Sequence, residues 1–108
     1  MKTYVIVETR DFIETRDTDC TVALAGGLAK KTKAATVFLA ENGVLAARAA
    51  YDAPGLRQMI KKGVRVLADQ FALAERGIAP GDLAKGVEPA EISFVADEMA
   101  AGAAVIWR

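Results

Sequence analysis

The run Val64-Arg65-Val66-Leu67-Ala68-Asp69-Gln70-Phe71-Ala72-Leu73-Ala74-Glu75-Arg76-Gly77-Ile78 decides how this chain is read. Val64 to Ala68 is short, mostly apolar and contains two β-branched residues, a pattern that predicts a strand. It ends at the carboxylate Asp69. Phe71 and Leu73 then begin a helical segment that closes on Arg76-Gly77, a basic residue followed by a glycine stop. A strand passing directly into a helix is the repeating unit of an open α/β sheet, and such sheets bind ligands just beyond the carboxyl ends of their strands. Asp69 is therefore the first candidate functional residue.

The same alternation extends in both directions. Tyr4 to Val7 is a β-branched and aromatic run ending at Glu8, Ala35 to Ala40 ends at Glu41-Asn42-Gly43, and Ala103 to Trp107 closes the chain. After the first of these, Asp17 or Thr18 is expected to cap a helix in which Cys20, Leu24 and Leu28 recur on one face. Lys30, Lys31 and Lys33 suit its C-terminal end. Gly26 and Gly27 fall inside this helix, so a close approach of the sheet or of a neighbouring subunit is expected to compensate for them. Asp52-Ala53-Pro54-Gly55 precedes a helix from Leu56 to Lys62 with Leu56, Met59 and Ile60 as its apolar stripe and Gly63 as its stop. A last helix carries Ile92, Val95 or Ala96, and Met99 at helical spacing. Four strands are clear and a fifth fits the short stretch near Val87. The expected fold is a single α/β domain over residues 1–108, a three-layer α/β/α flavodoxin-like arrangement around a mainly parallel sheet of four to five strands.

Composition bounds the chemistry. Fourteen basic and fourteen acidic residues cancel over 108 positions, so no basic excess draws the chain to nucleic acid or anionic lipid. No segment approaches the roughly 18 to 20 apolar residues that span a bilayer, and the apolar run at the N-terminus is too short for a signal-peptide core. A cytoplasmic protein with protein or small-molecule partners is expected. The chain has no histidine and one cysteine, Cys20. Ser-His and Cys-His nucleophile pairs, imidazole bases, His-containing zinc sites and internal disulfides are thereby excluded. No catalytic residue, resident metal or cofactor is assigned.

The candidate ligand-binding residues are Glu8, Glu41, Asn42, Asp69 and Arg76, at the ends of strands and of the helix that follows. Were the three acids to gather at one sheet edge, they could hold Mg²⁺ or share a proton. The competing reading is that each is solvated or paired with Arg10, Arg16, Arg48 or Arg76. Cys20 is a possible reactive thiol in a first helical turn, but its place on the Cys20-Leu24-Leu28 stripe favours a buried structural role. Tyr4, Tyr51 and Trp107 are scattered and read as packing residues.

Taken together, Val37-Phe38-Leu39-Ala40-Glu41-Asn42-Gly43-Val44, the Val64 to Ala68 run followed by Glu75-Arg76-Gly77-Ile78, and the terminal Val105-Ile106-Trp107 resemble the DsrE/DsrF-like family. These are small cytoplasmic proteins of flavodoxin-like α/β/α fold, many of which carry persulfide sulfur in bacterial sulfur-relay and sulfur-oxidation systems. The sulfur carriers keep a cysteine just after the third strand, ahead of an Arg-Gly pair, and counting back from Arg76-Gly77 that position here is Asp69. A carboxylate cannot accept sulfane sulfur, so the resemblance implies a divergent or non-catalytic member. It also implies a homo-oligomer, trimeric or hexameric, with a sulfur-relay protein as a possible partner. Gly26-Gly27 and the alanine-rich Val44 to Tyr51 are candidates either for subunit contact or for internal packing. Two alternatives remain: an acid-cluster Mg²⁺ module of receiver type, and a structural subunit completing a hetero-oligomer with cysteine-bearing paralogues.

Overall fold

The computed structural model describes residues 3–12, 17–32 and 34–108. Five strands, β1 (Tyr4–Glu8), β2 (Ala35–Leu39), β3 (Arg65–Asp69), β4 (Val87–Ala90) and β5 (Ala104–Trp107), form one sheet in the order β4-β3-β2-β1-β5. Every pairing is parallel. The fifth strand expected near Val87 is thus present, at the edge of the sheet, where Pro89 removes no ladder hydrogen bond that a central strand would need.

Four helices connect them: α1 (Asp17–Thr32), α2 (Pro54–Lys61), α3 (Gln70–Glu75) and α4 (Ser93–Ala100). Their placement follows from handedness. Right-handed crossovers put the helices of successive steps in one direction on one face, and the helix of a return step on the other. The chain steps from β1 through β2 and β3 to β4, then returns past all of them to β5. Accordingly Val22, Ala25 and Ala29 of α1, Leu56 and Met59 of α2, and Ala72 and Leu73 of α3 pack with Ile6, Val37, Leu39, Val66 and Ala68 of one sheet face. Val95 and Phe94 of α4 pack with Val5, Val7, Phe38 and Leu67 of the other. Phe94 stacks on Phe38 with ring centroids 6.3 Å apart, and the Arg65 guanidinium lies 5.3 Å from the Phe94 centroid. The three-layer α/β/α expectation holds, with the second helical layer reduced to one helix of 8 residues.

Glycines end the helices as the sequence suggests. Gly63 (φ 91°) follows α2 and Gly77 (φ 67°) follows α3, both left-handed. In each case paired hydrogen bonds close the last turn: Gly63 N–H to Ile60 O and Val64 N–H to Met59 O after α2, and Gly77 N–H to Ala74 O and Ile78 N–H to Leu73 O after α3. These bonds satisfy helix-end carbonyls that would otherwise lack partners.

Several expectations about helix faces are corrected. Cys20 is exposed and Leu24 is largely so, whereas Thr18, Thr21, Val22, Ala25 and Ala29 are buried. The small and β-branched stripe therefore faces the sheet, because it lets α1 lie close to the strands; of the other stripe, Cys20 and Leu24 are turned to the surface, while Leu28 is partly buried at the edge of the core. Asp17 and Thr18 lie within the first turn of α1; the Glu14, Thr15 and Arg16 positions before it, and Lys33 after it, fall outside the described residues. On α4, Val95 is buried, while Ile92, just before the helix, and Met99 are exposed. Trp107, read as a packing residue, is 61% exposed at the end of edge strand β5. The alanine-rich segment forms 3₁₀ turns over Glu41–Ala47 and Ala49–Tyr51, with Gly43, Val44, Ala46 and Ala47 buried inside the subunit. Its first turn sits so tightly on β1 that a Cβ at Gly43 would run into the Glu8 carbonyl oxygen.

Gly26 faces the Lys62 side chain beyond α2, and a Cβ at Gly27 would meet nothing within 4 Å. Opposite stability effects are expected from the two kinds of glycine. Gly43→Ala should lower unfolding stability in urea by about 2 kcal/mol or more, because the obstructing atom is backbone. Gly27→Ala should raise it by about 0.5–1 kcal/mol, the helix-interior difference between the two residues; a loss at Gly27 would instead place that residue in a subunit contact.

Candidate functional site

The three strand-end acids do not meet. Residues on neighbouring parallel strands share a face only when their register positions match. Glu8 stands opposite Leu39, and Leu39 opposite Ala68, so Asp69 lies one position further along β3. Glu8 therefore projects with Ile6 towards α1, and Asp69 with Leu67 towards the α4 side. Among the described residues no group of three or more acidic or thiol side chains is placed to hold a metal ion. The gathering of Glu8, Glu41 and Asp69 is corrected on this ground.

Each acid has its own setting. Glu8 is fully buried; one carboxylate oxygen accepts from the Thr21 hydroxyl at 2.7 Å, and the other accepts from the Arg10 N–H at 3.1 Å with the Arg10 Nε 3.7 Å away. A buried carboxylate needs such donors, and Glu8 uses them to tie α1 to the end of β1. Beside it, both the N–H and the hydroxyl of Thr9 donate to the Arg108 carbonyl, closing the junction between β1 and β5. Glu41 is exposed in a left-handed conformation (φ 49°), which costs a non-glycine residue on the order of 1 kcal/mol. Asp69 is half-buried and caps α3: its Oδ1 accepts from the Phe71 N–H at 3.2 Å.

Asn42 and Arg76 do meet. The Asn42 Oδ1 accepts from Arg76 Nη2 at 2.9 Å and Nε at 3.2 Å, and Arg76 Nη1 donates to the Ala72 carbonyl at 3.2 Å. The Glu75 carboxylate stands 3.6 Å from the same Nη1. Arg48 donates from Nε to the Leu45 carbonyl at 2.8 Å and holds its guanidinium carbon 5.9 Å from the Tyr51 ring centroid. Burial first, and the Asp11 carboxylate second, raise the Tyr51 phenol above its ordinary pKa, with Arg48 acting in the opposite sense. Of the five candidate residues, Asn42 and Arg76 are brought together, while Glu8, Glu41 and Asp69 each have a separate setting, four places rather than one site.

Space opens at two of them. One cleft, about 500 Å³, lies between the β3–α3 and β4–α4 junctions and is lined by Asp69, Gln70, Phe71, Glu91, Ile92 and Ser93. Phe71 is 70% and Ile92 49% exposed. Neither was singled out for a site from sequence; the signal was that Ala72 and Leu73 occupy the buried face of so short a helix, which leaves Phe71 turned away. The other cleft, about 480 Å³, is lined by Arg48, Ala49, Ala50, Arg76, Gly77, Ile78, Gly81 and Asp82.

This architecture defines a class: small parallel α/β/α proteins with a five-stranded sheet and openings at the strand carboxyl ends. Within it the chain is similar to the ychN protein from E. coli (20% identity, all of both chains covered, TM-score 0.86). It is also similar to two proteins of unknown function: MTH1491 from Methanobacterium thermoautotrophicum (17% identity, 99% of this chain and 98% of that one, TM-score 0.75) and BT1422 from Bacteroides thetaiotaomicron (16%, 99% and 95%, TM-score 0.78). At such identities the likeness establishes the fold alone. No family model matches the chain, and no curated protein matches it in sequence. Among the described residues no helix is long and apolar enough to cross a membrane.

Two substitutions test the roles assigned to the acids. Asp69→Ala should cost about 1 kcal/mol of unfolding stability and Asp69→Asn much less, since asparagine caps nearly as well. Thr21→Val should cost about 1.5–3 kcal/mol, because it leaves a buried carboxylate oxygen without its donor. Equal stability of Thr21→Val and the parent in urea would show that Glu8 finds another partner.

Proposed function

We propose that this chain is a divergent, non-catalytic DsrE-like binding module, a cytoplasmic homo-oligomer that receives a sulfur-relay protein at the cleft beside Asp69. The observation that carries the reading is the occupation of Asp69. At the position where the resemblance places a sulfur-bearing cysteine, this chain has a carboxylate engaged in capping α3, and a capping carboxylate offers no nucleophilic sulfur. The cleft beside it keeps exposed Phe71 and Ile92, apolar anchors of the kind that dominate protein contacts. Exposed Met99 and Trp107 supply further apolar surface suited to self-association into a trimer or hexamer. The dispersal of the three acids leaves nothing that favours the Mg²⁺ alternative.

Three measurements bear on this. Light scattering on the purified chain should return three or six times its 11.4 kDa mass, and a monomer at working concentrations would remove the oligomer. Treatment with a polysulfide followed by intact-mass spectrometry should add no stable sulfur to the parent chain, whereas Asp69→Cys should gain one sulfur atom at residue 69. Stable sulfur on Cys20 of the parent, abolished by Cys20→Ala, would make the chain a carrier after all. Finally, the immobilised parent should retain a persulfide-bearing protein from its native extract, and the Phe71→Ser/Ile92→Ser double variant, with unchanged circular dichroism, should not.

A further inference from the structure

The cleft lined by Arg48 and Arg76 shares no lining residue with the one beside Asp69, and its chemistry is different. Arg48 and Arg76 are half-buried residues, and each guanidinium is held in place mainly by neutral acceptors: the Leu45 carbonyl for Arg48, and the Asn42 amide and Ala72 carbonyl for Arg76. Fixing an arginine in this way sets its orientation without cancelling its charge. The carboxylate nearest Arg76, that of Glu75, is beyond hydrogen-bond distance and more than half exposed, so water screens it. Asp82, the acid on the cleft wall, uses one oxygen to accept from the Ala79 N–H and is itself exposed. Two oriented arginines against the single acid Asp82 leave the cleft lining with a net positive charge, which an anion would complement.

We infer that this cleft is a binding site for a small phosphate monoester. A carboxylate has one charge and two coplanar oxygens, enough for one guanidinium fork. A phosphate dianion carries charge for both arginines and has oxygens on several sides, so it can accept from groups arriving on two different elements, the turn after Ala47 and the end of α3. The remaining space suits an organic group: the cleft of about 480 Å³ exceeds the phosphate itself, and Ala49, Ala50 and Ile78 give it an apolar side. Gly77 and Gly81 keep the wall open, since a Cβ at either would meet nothing within 4 Å.

The test uses inorganic phosphate as the probe, followed by ¹⁵N-correlated NMR of the full chain, with chloride exchanged to hold ionic strength constant. Saturable shifts are expected at the Nε–H groups of Arg48 and Arg76 and at the Gly77 and Gly81 amides. Arg48→Gln should weaken binding about tenfold, as loss of one charge-assisted contact does. Asp82→Asn should strengthen it several-fold. Arg76→Gln also removes a contact that holds the end of α3, so Gly81→Leu serves as the independent control: it fills the cleft, touches neither arginine's anchor, and should abolish saturation with the fold unchanged. Shifts that rise linearly without saturating, that match those caused by sulfate-free chloride alone, or that survive both Arg48→Gln and Gly81→Leu would overturn the site.

Discussion

The handedness of strand crossovers governs the rest of this structure. Three steps in one direction bring α1, α2 and α3 to one face of the sheet, and the single return step leaves α4 by itself on the other. One face is therefore sealed by three helices and two 3₁₀ turns, the other by one short helix whose Phe94 and Val95 cover Phe38, Leu67 and the centre of β1. The cleft beside Asp69 lies where the β3–α3 and β4–α4 junctions, which carry helices to opposite faces, diverge.

Charge burial follows the same division. On the sealed face Glu8 is enclosed with Thr21, beside the part-exposed Arg10, and serves as a clamp between strand and helix. On the sparsely covered face Asp69 remains half-buried and is spent on a helix cap. Arg48, after the first 3₁₀ turn, and Arg76, at the C-terminal end of α3, are oriented by carbonyl and amide oxygens. Glu8, Asp69, Arg48 and Arg76 each have hydrogen-bond partners, as the desolvation cost of an unpaired polar group requires.

Much of this order is legible in the residues. Short β-branched runs marked four strands, and Gly63 and Gly77 marked helix stops that the left-handed φ values and paired terminal hydrogen bonds explain. The β4 strand was harder to read because Glu88 and Pro89 interrupt its apolar pattern, and an edge strand tolerates both. On α1 the periodicity of larger residues points to the stripe Cys20, Leu24 and Leu28. Packing chose Val22, Ala25 and Ala29, because a helix lying close on a sheet needs small side chains beneath it.

The sequence by itself determined the local alternation of strand and helix, the helix stops at Gly63 and Gly77, and the absence of imidazole and thiolate-cluster chemistry, since these depend on residue type and near neighbours. The tertiary structure alone decided which acids share a face. Strand register and the parity of side chains along each strand are set by pairing partners far apart in the chain, so Glu8 and Asp69, each closing its own strand, point to opposite sides of the sheet. Arg48 and Arg76, 28 positions apart in sequence, line one cleft because the turn around Ala47 and the end of α3 are brought together by packing of distant segments.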